Sequence, residues 1–145
     1  MGRSAYYAWK VGLKNYTLVD VPMTSISQGY FLMRCLGEDA VVLPGESRRN
    51  REQIQIMHSD EFFSSSAQFD LIANVDSLTE LGHDLALRYL KKISSIAPAF
   101  LSVNHEANTI RVSDLLRELD VPNTTSRHPY RMRQGYAEEL VRFKV

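Results

Sequence analysis

A chain of 145 residues with 17 basic and 17 acidic side chains carries no net formal charge, which removes the global electrostatic case for a nucleic-acid or anionic-membrane partner. Its length fits a single domain over residues 1–145 with one core, and its one cysteine cannot close an intramolecular disulfide. No apolar run approaches the ~20 residues that span a bilayer and no signal-peptide core is visible, so a reduced, cytoplasmic protein is expected.

From the N-terminus, Met1 to Lys10 reads as a helix that Ser4 can cap, with Ala5, Ala8 and Trp9 on its apolar face and Gly12 ending it. Tyr16 to Asp20 is a β-branched and aromatic strand with an acidic end. Pro22 stops that strand and opens a helix from about Thr24 to a stop at Gly37. Cys35, among Phe31, Leu32 and Leu36, is predicted to be a buried thiol. Ala40 to Leu43 is a third apolar segment, a strand broken by Pro44-Gly45, and Glu46 to Gln53 is a polar loop. Ile54 to Met57 alternates as a short strand, and His58-Ser-Asp-Glu-Phe62 leaves it with a capping-type sequence. Phe69 to Val75 reads as a strand covered on both faces, ending in Asn74, Asp76, Ser77 and Glu80. Leu85, Tyr89, Leu90, Ile93 and Ile96 then recur at helical spacing, and Ala99 to Val103 is a second apolar strand that closes on Asn104-His105-Glu106. A helix over about Ile110 to Leu119 follows, then a polar, irregular segment from Pro122 to Gly135. Leu140, Val141, Phe143 and Val145 mark a final strand, antiparallel and near an edge.

Strands that alternate with helices call for a mostly parallel sheet flanked by helices, and open α/β sheets bind ligands at the carboxyl ends of their strands. The polar residues after Val19, Ala73 and Val103 would stand at that edge. Two arginine clusters, Arg48/Arg49/Arg51 and Arg127/Arg131/Arg133, read either as solvated loops or as contacts for a substrate anion. His58, His83 and His128 read as surface groups.

The acidic strand end at Asp20, the turn Ser59-Asp-Glu-Phe62 and the polar exit of Phe69-Asp-Leu-Ile72 together resemble the Rossmann-like class I S-adenosylmethionine-dependent methyltransferases. More narrowly, Gly2-Arg-Ser-Ala-Tyr-Tyr-Ala8, Gln28-Gly-Tyr-Phe-Leu32, Asp76-Ser-Leu-Thr-Glu80 and Leu101-Ser-Val-Asn-His-Glu106 are similar to a group of bacterial sugar O-methyltransferases. The resemblance starts late: Gly2-Arg3 matches only the tail of the family's glycine-rich loop, so the α/β sheet is expected to be N-terminally truncated, without its first strand. It implies either direct pairing of the strands that end in Asp20 and Asn74 or cover from a second copy in a homodimer. It also implies weak or no S-adenosylmethionine binding by the truncated chain, because loop N–H groups are lost.

By resemblance, Gly2, Arg3, Asp20, Asp60, Glu61, Phe62 and Asn74 are the cofactor-binding residues. Asp20 would accept from ribose hydroxyls, or else act only as a helix N-terminal carboxylate. Asp60, Glu61 and Phe62 would meet adenine, or else form a helix cap with Phe62 in the core. Methyl transfer to a hydroxyl needs in-line positioning and a proton acceptor. His105 is the preferred base, since imidazole suits that role near neutrality, with Asp76 or Glu106 orienting it. Asp76, Glu80 and Glu106, with Asn104, could instead ligate a divalent cation that bridges two sugar hydroxyls; no spacing establishes such a metal, and the base reading is preferred to it. Glu80, Tyr130, Arg131 and Arg133 are the expected contacts to a carbohydrate substrate. The rival expectation is a non-catalytic α/β remnant kept for dimerisation or for saccharide or protein binding. A nicotinamide-dependent oxidoreductase is disfavoured because no complete Gly-x-Gly-x-x-Gly follows a strand.

Overall fold

The computed structural model describes residues 2–144, and the chain divides into two compact units, Met1–Ser65 and Ser66–Val145. Met1 and Val145, read from sequence as part of the first helix and the last strand, lie outside the described residues.

The first unit contains α1 (Arg3–Lys10), β1 (Tyr16–Asp20), α2 (Pro22–Leu36), β2 (Val41–Val42), β3 (Ile54–His58) and α3 (Ser59–Ser64). Its sheet has the order β1-β3-β2, and both ladders are parallel. Ala5, Leu32, Ala40, Val41, Ile54 and Ile56 form its core, with Tyr6, Trp9, Leu18 and Phe31 packed against them. Tyr6 and Trp9 therefore serve packing, as aromatic residues on a helix stripe generally do.

Local chemistry shifts several boundaries. Gly2, left-handed at φ 67°, stands at the N-cap of α1 with no side-chain cap bond, so Ser4 falls inside the helix. Pro22 begins α2 itself, where its missing N–H costs nothing. The strand expected over Ala40 to Leu43 shrinks to two residues, because a 3-10 turn over Glu38–Ala40 precedes it and Pro44 follows. Cys35 is exposed, contrary to the buried thiol expected. The face that α2 buries is Ser25, Gln28, Gly29 and Leu32, and Cys35 lies to one side of that stripe.

The second unit contains β4 (Ile72–Val75), α4 (His83–Ile96), β5 (Ala99–His105), α5 (Val112–Glu118), β6 (Asn123–Pro129) and β7 (Tyr136–Phe143). Its sheet runs β4-β5-β7-β6, parallel between β4 and β5 and antiparallel thereafter. Ala86, Leu90, Ile93 and Ile96 are the buried face of α4, so Ala86 takes the place that sequence periodicity assigns to Leu85, which is exposed. Val112, Leu115 and Leu116 are buried on α5.

Two expectations change here. β4 is half exposed, with Val75 and the preceding Leu71 59% and 49% accessible, and it is an outer strand of this unit's sheet. The irregular segment expected from Pro122 to Gly135 contains strand β6, and β7 is thereby the inner member of an antiparallel hairpin.

β6 shows no apolar alternation because nearly all of it is exposed; a polar link holds it instead. Arg127 lies opposite Glu139 in the ladder, its Nε donating to Oε1 at 3.1 Å, and its Nη2 also pairs with Glu106. The Glu106 hydrogen bond pushes the Arg127 guanidinium pKa up. Glu139 is 3% exposed, and burial raises its carboxyl pKa more than Arg127 lowers it. The folded chain then holds that proton over a range where the unfolded carboxyl, near roughly 4.3, has lost it, so this group's stabilising contribution falls as pH rises through its folded value. Arg127→Ala removes the only charge that compensates buried Glu139 among the contacts seen here. We expect urea unfolding at pH 7 to show a loss of about 1–3 kcal/mol, shrinking as the pH is lowered toward 4; a pH-independent deficit would mean that Arg127 acts through packing alone.

Candidate functional site

Each unit gathers polar side chains at the carboxyl ends of its parallel strands. In the first unit, Asp20 ends β1 with both carboxylate oxygens engaged: Oδ1 accepts from the Val21 N–H at 2.9 Å, and Oδ2 accepts from Gln28 Nε2 at 2.8 Å. Gln28 is 5% exposed and Ser25, one helical turn before it, is 2% exposed. Gly2 and Arg3 start α1, and a Cβ on Gly2 would stand 3.4 to 3.5 Å from Leu32 and Phe31 side-chain atoms. Asp60, Glu61 and Phe62 form the first turn of α3. Glu61 closes a capping box on the His58 N–H at 3.0 Å and also accepts from the Gly45 N–H at 3.0 Å. Phe62 is core, 4% exposed, while Asp60 is exposed.

The second unit brings together more of the expected residues. Asp76 follows β4 with φ 58°, the only non-glycine positive φ among the described residues. A side chain in this region carries strain of order 1–3 kcal/mol, and contacts to its carboxylate hold it there. The Tyr136 hydroxyl is 3.1 and 3.0 Å from its two oxygens, and Arg133 Nη1 donates to Oδ2 at 3.0 Å. Arg133 also lies over the Tyr136 ring, 4.0 Å from its centroid, a cation–π contact. The Asp76 bond raises the Arg133 pKa, and burial followed by the same carboxylate raises that of Tyr136, so the phenol keeps its proton and donates it.

His105 stands opposite Tyr136 in the β5–β7 ladder, their rings edge to face at 4.8 Å. Neither Asp76 nor Glu106 orients its imidazole through a hydrogen bond; Tyr136 stands in that place, and Glu106 is paired with Arg127. The His105 Nδ1 accepts from the Ala107 N–H at 3.0 Å. A backbone donor fixes the neutral tautomer with its proton on Nε2, so the lone pair that a base needs is already occupied. Nε2 in turn lies against Gly135, where a Cβ would approach to 2.8 Å.

Beneath these groups runs a network of uncharged donors and acceptors. Asn104 donates to Asn74 Oδ1 at 2.9 Å and to Ser102 at 2.9 Å, and Thr79 bridges Asn104 and Asn108 at 3.3 and 2.6 Å. Asn74 further donates to Ser77 at 2.6 Å and accepts from the Leu78 N–H. Asn74 is thus a structural hub of the β4 exit. Glu80 is exposed close by. Tyr130 and Arg131 line an open groove of about 430 Å³ with His128, Met132 and Glu138, whereas Arg133 turns to Asp76. Among the described residues no group of three or more His, Cys, Asp or Glu is placed to hold a metal ion, and no helix is long and apolar enough to cross a membrane. His83 bonds Asp84 and Glu118, which raise its pKa.

The sequence assigned no site role to Tyr136 or to Gln28, the latter quoted only within the segment Gln28-Gly-Tyr-Phe-Leu32. Gln28 had a legible signal: Ser25, Gln28 and Gly29 occupy i, i+3 and i+4 positions on the face that α2 buries, where apolar residues would ordinarily stand. Tyr136 had none, since its role comes from the β5–β7 register. Gly135, at φ 81°, has room for no side chain beside His105. Gly135→Ala is expected to destabilise the chain by about 1–3 kcal/mol through backbone strain and displacement of the imidazole, with altered His105 ring signals in NMR; unchanged ring signals would show that the imidazole does not need this space.

No family model and no curated protein matches the sequence. Solved structures do. The chain is similar to PigF with SAH at a TM-score of 0.61 and 11% identity, covering 98% of this chain and 46% of that one. It is similar to the mitomycin 7-O-methyltransferase MmcR at 0.56 and 14%, covering 88% and 41%. Magnesium protoporphyrin IX methyltransferase ChlM from Synechocystis PCC 6803, with bound SAM, matches at 0.56 and 12%, covering 89% and 59%. The chain therefore spans less than two thirds of the length of each of these. At such identities the likeness is one of fold: a Rossmann-like α/β arrangement of the kind found in class I S-adenosylmethionine-dependent methyltransferases.

Proposed function

We propose that this chain is the greater part of a class I O-methyltransferase domain whose acceptor is a sugar hydroxyl. The observation that carries the reading is the pair of strand-end carboxylates, Asp20 and Asp76, each held in place by a neutral side chain, in a fold whose solved examples include methyltransferases. The resemblance of Asp76-Ser-Leu-Thr-Glu80 and Leu101-Ser-Val-Asn-His-Glu106 to sugar O-methyltransferases supports the acceptor class, as do the uncharged hydrogen-bonding groups around Asn104. Because the chain spans 46% of the PigF chain, activity is assigned to the whole protein.

The residues present fit an adenosyl group in part. Asp20 keeps lone pairs on both oxygens for ribose hydroxyls, and Gly2 holds the left-handed φ of 67° at the start of α1. Glu61 is occupied by two backbone N–H groups and Phe62 by the core, so Asp60 is the member of that turn left to meet an exocyclic amine. When bound, S-adenosylmethionine supplies an electrophilic methyl group on sulfur. On the acceptor side, Asp76 is the group with a lone pair to take a hydroxyl proton, while Tyr136 and Arg133 hold its carboxylate at the strand exit. His105, with its lone pair on the Ala107 N–H, packs Tyr136 in position. Arg131 and Tyr130 in their groove, and Glu80, are the further sugar contacts we assign.

A second reading, a non-catalytic α/β domain that associates with a copy of itself or binds a saccharide, is favoured by one observation: Val75 of outer strand β4 and Leu71 just before it are accessible. Calorimetry separates the two. We expect S-adenosylhomocysteine to bind at submillimolar concentration and Asp20→Ala to weaken it at least tenfold. A folded chain that takes up no S-adenosylhomocysteine at millimolar concentration overturns the methyltransferase reading for this chain. In the active whole protein, Asp76→Asn is expected to lower kcat by about 10²–10⁴ and His105→Ala by much less; the reverse order would return the base to His105.

A further inference from the structure

The buried face of α2 is unusual for a helix laid on a parallel sheet. Of its four buried residues only Leu32 is a large apolar one; the others are Ser25, Gln28 and Gly29. Burying a primary amide without satisfying it costs stability, and Gln28 is satisfied on one side only. Its Nε2 donates to Asp20 Oδ2 at 2.8 Å, while its Oε1, shielded from solvent, has no hydrogen-bond partner. Rotating the amide by half a turn would set Oε1 against the carboxylate, a contact between two acceptors, so the observed orientation is the one Asp20 demands. Ser25 approaches the same turn, its hydroxyl 3.5 Å from the Asp20 carbonyl.

A side chain kept buried with an unpartnered acceptor contributes less to stability than an apolar residue of similar volume, which would fill the same space without the desolvation loss. What Gln28 supplies instead is a donor fixed at one carboxylate oxygen. With the Val21 N–H on the other oxygen, it fixes the Asp20 carboxylate plane, and each oxygen keeps a further lone pair. Two carboxylate acceptors suit the two adjacent hydroxyls of a ribose, which present donors at a matching separation.

We propose that Gln28 is a positioning residue that holds Asp20 for a vicinal diol, so that the first unit reads the ribose of an adenosyl ligand through a Gln28–Asp20 pair. This rests on the adenosyl-binding reading above and assigns to a buried residue of α2 the specificity of that site. Gln28 itself touches no ligand; its effect passes through Asp20.

The test uses the full chain with adenosine and 2′,3′-dideoxyadenosine as probes in ligand-observed NMR, S-adenosylhomocysteine in calorimetry, and thermal unfolding alongside. Wild type is expected to bind adenosine at least about tenfold more tightly than the dideoxy analogue. In Gln28→Met, near in volume and without hydrogen bonds, that preference should fall to about twofold and S-adenosylhomocysteine should bind about tenfold more weakly, with Tm unchanged or raised. Gln28→Leu is the second variant should Met pack poorly. In an Asp20→Asn background, Gln28→Met should weaken binding no further, since the pair acts as one unit. Retention of the ribose preference in a folded Gln28→Met, or an additive loss in the double variant, overturns the assignment while leaving adenosyl binding intact. Absence of S-adenosylhomocysteine binding by folded wild type overturns the adenosyl reading itself, and this assignment with it.

Discussion

The hydrogen bond from Tyr136 to Asp76 is the contact on which the second unit's ligand edge depends. It ties the exit of β4 to the start of β7, two strands that are not neighbours in the sheet, across the end of β5. Asp76 at φ 58° is a conformation that an L side chain holds only when its surroundings over-determine it. A donor hydroxyl, a guanidinium and the ladder register of His105 and Tyr136 together supply that determination. The burial that raises the Tyr136 pKa works in the same direction, because a phenol that keeps its proton remains a donor to the carboxylate. Strain, ring packing and protonation state at this edge are consequences of one antiparallel strand placed beside a parallel pair.

The antiparallel hairpin also explains which parts of the chain were legible in sequence. β1, β3, β5 and the helices between them announce themselves because burial on regular faces leaves a period in the residues. β6 leaves none: its outward side chains face water, and its attachment runs through Arg127 to Glu139 and Glu106, which share no local pattern. The second and larger failure has the same origin. Asp76 and His105 were legible as polar residues at strand ends and Arg133 as part of an irregular segment, yet their mutual arrangement was not, since Tyr136 meets His105 only once β7 is in register. The reading of β4 as a doubly covered strand failed because apolar content reports what a strand can bury, whereas position in the sheet decides what it does bury.

In the first unit the relation between pattern and role is more direct. The acidic end of β1, the proline that opens α2 and the capping turn of α3 are where the residue types place them. What residue type could not tell is which acidic side chains remain available. Glu61 reads in sequence as an adenine contact or as a cap, and its two backbone bonds make it a cap. Asp20 reads as a ribose contact or as a helix N-terminal carboxylate; one oxygen accepts from the N–H of Val21, the N-cap residue of α2, and the other from buried Gln28. A carboxylate used wholly for capping would have no need of Gln28.

The two units therefore solve one physical problem differently. A carboxylate at the end of a parallel strand must be kept in place without being neutralised, or it loses its value as an acceptor. For Asp76 the structure uses a phenol and a guanidinium, the latter a cation. For Asp20 it uses a buried amide and a backbone N–H, both uncharged. In the function proposed above, this difference in support accompanies a difference in role, with Asp20 as the binding carboxylate and Asp76 as the reacting one.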